Sequence, residues 1–152
     1  MKELIITLVA TFVATLGYSI VFNIQKKDIF FASLGGMLTE LCFIAAGNYT
    51  DNAFLLNFLS ALFAAVYSEL FARIRKTPAN VFLFPCIIPL VPGGSLYYAL
   101  LYAIRNNKPL FEQKATDTIL AALGISFGIV VVSVAVKAFF GKIKTHKYNQ
   151  EL

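Results

Sequence analysis

The chain has 152 residues, of which 59% are hydrophobic and 14% charged, a balance too apolar for a soluble domain of ordinary composition. Its 13 Lys and Arg outnumber 8 Asp and Glu, for a formal charge of +5, but they cluster between apolar runs, with no aromatic-interleaved basic stripe of the kind that binds nucleic acid. They are read as loop charges that orient a protein in a bilayer.

The first apolar run, Leu4 to Ile24, is long enough to cross a hydrocarbon core of ~30 Å at about 1.5 Å per residue. No A-x-A cleavage pattern follows it, so it is expected to be a retained span rather than a signal peptide. Four more segments follow at about 29–47, 53–72, 79–104 and 116–137. The connections "QKKD", "NYTDN", "RIRKT" and "RNNKPLFEQKATD" and the tail "GKIKTHKYNQEL" are too short for a folded extramembrane domain. The expected fold is an all-α integral membrane protein, a bundle of five transmembrane helices forming one domain over residues 1–152, with the fourth helix interrupted.

Five spans put the termini on opposite sides. One side holds Lys26, Lys27, Arg73, Arg75, Lys76, Lys137, Lys142, Lys144 and Lys147, and the other Lys2, Arg105, Lys108 and Lys114. The excess of basic residues on the first side places the N-terminus outside and the C-terminus in the cytoplasm. Small residues recur at four-residue spacing in Ala10/Ala14, Ala32/Gly36 and Gly124/Gly128. In lipid such pairs let helices approach closely, and some of these faces are expected to meet another chain.

The fourth segment carries the main signal. "FLFPCIIPLVPGGSLYYAL", Phe82 to Leu100, has no charge, yet Pro85, Pro89, Pro92, Gly93 and Gly94 interrupt it. Thr77-Pro78 reads as a capping hydroxyl and a first-turn proline, so a helix is expected from about Ala79. The prolines remove amide donors and the glycines permit unusual backbone angles, so unwinding is expected at Pro92 to Gly94, somewhat beyond mid-membrane, with a second half-helix from about Ser95. Unpaired backbone groups in a membrane must face protein or a polar cavity. The first amides of the second half-helix would suit an anion such as a carboxylate, and freed carbonyls a cation or ammonium. A plain packing kink is the alternative.

Pro89, Pro92, Gly93, Gly94 and Ser95 are therefore the candidate substrate-binding residues, with Asn57 and Tyr98 as side chains able to hydrogen-bond a polar ligand. Ser60 and Tyr67 share the third span with Asn57, whereas Tyr97 and Tyr102 are more simply interface anchors. Glu40, deep in the second span, is a candidate for carrying protons or a coupling cation, against the alternative of a neutral, hydrogen-bonded packing residue. Glu69 has Arg73 one turn on and needs no function. Cys42 and Cys86 lack CxxC spacing or a nearby His, and His146 stands alone in the tail, so no metal site, disulfide framework, cofactor or catalytic set is expected.

"RIRKTPANVFLFPCIIPLVPGGSLYYALLYAI", Arg73 to Ile104, together with "VFNIQKKDIFFASLGG", Val21 to Gly36, resembles the threonine/serine exporter (ThrE) family, in particular its small YjjB-like membrane subunit. The family's proline-glycine motif falls on Pro85, Pro89, Pro92, Gly93 and Gly94. The resemblance implies a bacterial cytoplasmic (inner) membrane and export of small polar metabolites, either threonine and serine or C4-dicarboxylates such as succinate. It also implies a companion membrane subunit carrying the other half of the transporter. A bundle with one interrupted helix points the same way, since transporters commonly pair two repeats around one site. A self-sufficient homo-oligomeric exporter and a non-transporting membrane scaffold are the alternatives.

Overall fold

The computed structural model describes residues 2–148, with side chains through residue 138. It is a bundle of six α-helices, with no strand among the described residues. They are α1 (Lys2–Val21), α2 (Lys26–Gly47), α3 (Ala53–Arg75), α4 (Asn80–Ile87), α5 (Gly93–Ile104) and α6 (Lys108–Tyr148). A 3-10 turn, Ile88–Leu90, extends α4 to the break. Helices α1, α2, α3 and α6 are each long and apolar enough to cross a membrane, and α4 and α5, bent by 45° at the break between them, are so when taken together. The side chains of Lys142, Lys144, His146 and Lys147 lie outside the described residues.

Turn chemistry fixes three of the helix ends. At α1 the chain passes through a left-handed residue, Asn23 (φ 54°), while Asn23 N–H donates to the Ile20 carbonyl and Ile24 N–H to that of Ser19. Lys76 (φ 54°) ends α3 in the same way, with Thr77 N–H donating to the Ala72 carbonyl at 3.0 Å. Asn106 (φ 55°) does so for α5, with Asn107 N–H on the Tyr102 carbonyl at 3.0 Å. Each is a Schellman turn, which satisfies the last carbonyls of its helix and reverses the chain within a few residues. The Asn52 Oδ1 caps the start of α3, accepting from Phe54 N–H at 2.9 Å.

Helix α2 is the centre of the bundle, and small residues let its neighbours reach it. A side chain on Gly36 would collide with Thr15 of α1 and come within 3.1 Å of the Pro85 carbonyl of α4. One on Gly35 would collide with Cys86 and with Tyr67 of α3. Thr15 is buried, and its hydroxyl donates across to the Ser33 carbonyl at 3.2 Å. Tyr67 donates to the Phe31 carbonyl at 2.8 Å. Ser19, Ser33, Thr39, Ser60 and Ser68 satisfy their hydroxyls on carbonyls one turn earlier in their own helices. These polar side chains are thus consumed by helix packing.

Helix α6 docks on the outer side of α3. Its Gly124 lies against Phe54 and Phe58 and its Gly128 against Phe58 and Leu62, so the two helices run parallel. Ala32/Gly36 and Gly124/Gly128 are therefore spent on contacts inside the chain. Ala10, Ala14 and Gly17 instead lie on an exposed face of α1, and a side chain on Gly17 would meet nothing within 4 Å.

The long connection expected at 105–117 is largely helix. After Asn107, whose Oδ1 accepts from Leu110 N–H at 3.4 Å, α6 begins at Lys108 with Pro109 in its first turn. The Thr77 hydroxyl does not cap α4: the Schellman turn at Lys76 directs it inward, where it is buried without a hydrogen-bond partner.

The basic cluster gathers at one end of the bundle. Arg75 Nε donates to Asp28 Oδ1 at 2.6 Å, its Nη2 to the Lys27 carbonyl at 3.1 Å, and its guanidinium lies 5.3 Å from the Phe31 ring centroid. This fastens the start of α2 to the end of α3. Glu69 pairs with Arg73 at 3.6 Å along α3.

Candidate functional site

The break in the fourth segment follows from its prolines. Pro85 interrupts α4 without ending it, because the helix is packed on three sides; Pro89 falls in the 3-10 turn, and Val91 and Pro92 form the joint. Gly93 N–H turns back onto the Val91 carbonyl at 2.7 Å, and Leu96 N–H donates to the Pro92 carbonyl at 3.0 Å, so α5 is already helical from Gly93. The unwound stretch is therefore Val91–Pro92 rather than Pro92 to Gly94, and the second half-helix starts two residues before Ser95. Neither glycine has a positive φ, and an added side chain at either would meet nothing within 4 Å. The joint comes from proline lacking a donor, not from glycine conformation.

Beside the joint is a cavity of about 260 Å³ at the end of the bundle where α2 stops and α3 starts. It brings together Pro89, Pro92, Ser95 and Asn57, four of the residues singled out in the sequence, with Phe43, Asp51 and Asp117. Asn57 is buried, and its Nδ2 donates to the Ala53 carbonyl at 2.8 Å, which leaves Oδ1 as its spare acceptor. Asp117 forms an ion pair with Lys114 at 3.6 Å. Asp51 comes from the α2–α3 connection and is exposed.

Gly93, Gly94, Tyr98 and Glu40 do not line this cavity. Gly93 and Gly94 are exposed on the first turn of α5. Tyr98 is 48% exposed, within 5.4 Å of the Tyr97 ring and 6.3 Å of the Tyr102 ring, in an aromatic cluster on the outer face of α5. Glu40 is half-buried one helical turn before Phe43 and has no hydrogen-bond or ion-pair partner among the described residues. Ser60 and Tyr67 are occupied within the core. Sequence reasoning passed over Asp51 and Asp117 because both stand in polar connections, where a carboxylate reads as a solvated loop charge. The cap at Asn107 followed by Pro109 was the available sign that α6 starts early and carries Asp117 into the bundle.

Chemically the cavity offers two kinds of partner. Asp51, Asp117 and Asn57 Oδ1 supply oxygen acceptors suited to an ammonium, and the start of α5 supplies the positive end of a helix dipole beside Ser95, suited to an anion. No group of three or more metal-ligating side chains occurs among the described residues.

The model of the threonine/serine exporter family, ThrE, matches residues 7–135, from α1 through most of α6. The chain belongs to this family. Comparison with curated proteins returned no match, and neither did comparison with solved structures. The family match covers the joint, the cavity and Glu40 alike.

Proposed function

We propose that this family member is the membrane subunit of a secondary exporter of small polar metabolites, threonine/serine-type amino acids or C4-dicarboxylates. Substrate passes the cavity at the Val91–Pro92 joint, and no catalytic chemistry is assigned to the chain. The observation that carries the reading is the convergence on one cavity of the broken helix, the start of α5 and the acceptors Asn57, Asp51 and Asp117. A helix start and two carboxylates on the same cavity favour a zwitterion over a dicarboxylate, because a second carboxylate would meet Asp51 and Asp117. Glu40, unpartnered and one turn from the cavity, is assigned to coupling.

A companion membrane subunit completes the transporter in this reading. The free small-residue face of α1 supports it, since Ala14 and Gly17 floor a shallow groove of about 270 Å³ between Val13, Tyr18 and Val21. The gathering of Lys26, Lys27, Arg75 and Lys76 at one end supports an orientation with the N-terminus outside and the C-terminus in the cytoplasm of the bacterial inner membrane.

The test is efflux from cells expressing the chain with its companion. Ser95→Leu, which fills the cavity, and Asn57→Leu should reach the membrane at normal levels yet lower threonine or serine export by tenfold or more. Glu40→Gln should flatten the pH dependence of export. Wild-type efflux from both cavity variants would remove the cavity from the transport path.

A further inference from the structure

At the opposite end of the bundle a second cavity, about 370 Å³, lies between the α1–α2 and α3–α4 turns. That volume falls within the range of small-molecule sites, about 300–1,000 Å³. The two Schellman turns form its rim, one through Asn23 and the other leading into Thr77 and Pro78, and Phe22, Val81 and Phe84 make its apolar wall. Two of its lining residues hold polar atoms that the protein leaves unused. Asp28 is completely buried, and while Oδ1 takes the Arg75 bond, Oδ2 has no hydrogen-bond partner. The Thr77 Oγ1 is likewise buried and unpartnered. A buried polar atom without a partner is destabilising, more so when charged, so two of them on residues lining one cavity call for a ligand that supplies donors.

Charge narrows the class of ligand. Arg75 already neutralises Asp28, and Lys26, Lys27 and Lys76 flank the site in sequence, so a simple cation would meet net positive charge. A dianion would match the lysines but would bring no donor to Asp28 Oδ2. A molecule with an ammonium donor and a carboxylate a few bonds apart satisfies both conditions. From the unpartnered oxygens of Asp28 and Thr77, two residues that line one cavity, we infer that this end of the bundle holds a second binding site for a small zwitterionic amino acid. Its ammonium group is taken by Asp28 Oδ2 and Thr77 Oγ1, and its carboxylate is drawn to the basic fringe. The site deepens the exporter reading by giving the substrate a station at the end of the bundle away from the joint, and it rests on that reading only for the identity of the ligand.

The test is direct binding, independent of transport. The full chain, purified in detergent with any subunit that accompanies it, is titrated at constant ionic strength with L-threonine, glycine betaine, ethanolamine and succinate, with thermal unfolding and calorimetry as readouts. L-Threonine should bind and raise the unfolding temperature. Betaine lacks an N–H donor, ethanolamine a carboxylate and succinate an ammonium, so each should bind at least tenfold more weakly. Thr77→Val should weaken threonine binding on the order of tenfold, as expected for loss of a hydrogen bond to a charged group. The same variant should raise the unfolding temperature of the ligand-free protein, because it removes an unpartnered buried hydroxyl. A merely structural hydroxyl would not give these opposite signs. Asp28→Asn should abolish binding; where it also impairs folding, Thr77→Val alone decides. Equal binding of succinate or betaine, or unchanged threonine affinity in Thr77→Val, overturns the site. Cavity variants at Ser95 and Asn57 should leave this binding intact, so failure of the exporter reading and failure of the second site are separable.

Discussion

The two halves of the broken segment are similar in composition and opposite in environment. Helix α4 lies among α1, α2 and α3, with Phe82, Pro85 and Cys86 fully buried. Helix α5 packs against α6, and Ala99 is its one buried residue, while Leu96, Tyr97, Tyr98, Leu100 and Ile104 are exposed. The 45° joint therefore separates an anchored half from one held along a single face. The fixed half ends beside a cavity lined by Asn57, Asp51 and Asp117, while the other half presents an exposed apolar face.

The largest effect that tests this contrast lies where the anchored half begins. Arg75 is the ion-pair partner of a fully buried carboxylate and ties the turn leading into α4 to the start of α2. Arg75→Met should destabilise the protein by about 3–5 kcal/mol, the range for removing one partner of a buried pair, seen as lost thermal stability in detergent. The double variant with Asp28→Asn should recover part of the loss. Next, Phe82→Ala opens a cavity among three helices and should cost about 2 kcal/mol or more, whereas Leu100→Ala on exposed α5 should stay within about 0.5 kcal/mol. Equal losses at the two positions would erase the distinction between the halves.

The foundation of the looser half can be tested through α6. A side chain at Gly128 would stand 2.8 Å from the Phe58 carbonyl and 3.0 Å from Leu62 N, both rigid backbone of α3. Gly128→Leu should therefore push α6 off α3, at a cost of about 1–3 kcal/mol, and carry α5 with it. Gly17→Leu on open α1 should leave the isolated chain's stability unchanged and reduce only co-purification with a companion subunit.

How much of this was legible follows from the range of each signal. Apolar length marks a span within one segment, and the three prolines mark the joint wherever the rest of the chain lies. Contacts across the sequence leave no such mark. Asp28 looks like one of three loop charges in "QKKD", and only the fold brings it to Arg75, 47 residues away. Small-residue spacing reveals that a helix is approached closely but not by which neighbour; thus Gly124/Gly128 proved internal while Ala10/Ala14 proved exposed. Local chemistry was readable where it was strong: Asn at 23 and 106 suits the left-handed turns that end α1 and α5, whereas Lys76, in the same conformation, carries no such signature.

The smallest expected effect decides what the joint is made of. The sequence invites a glycine hinge, since Gly93 and Gly94 follow the last proline, and such a hinge would require backbone angles closed to other residues. In the structure both glycines are helical, both have negative φ, and both face open space. Alanine fits at either position and favours helix over glycine by about 0.5–1 kcal/mol, so Gly93→Ala and Gly94→Ala should fold as wild type or be slightly more stable. Export should persist in both, because the bend resides at Val91 and Pro92, where the proline has no amide to continue the ladder. Pro92→Ala restores that donor and should straighten the pair, lowering export while raising helix content. Normal export from Pro92→Ala together with loss from Gly94→Ala, at equal membrane levels, would move the working joint from the proline to the glycine pair. The anchored half would then end two residues later than the cavity requires.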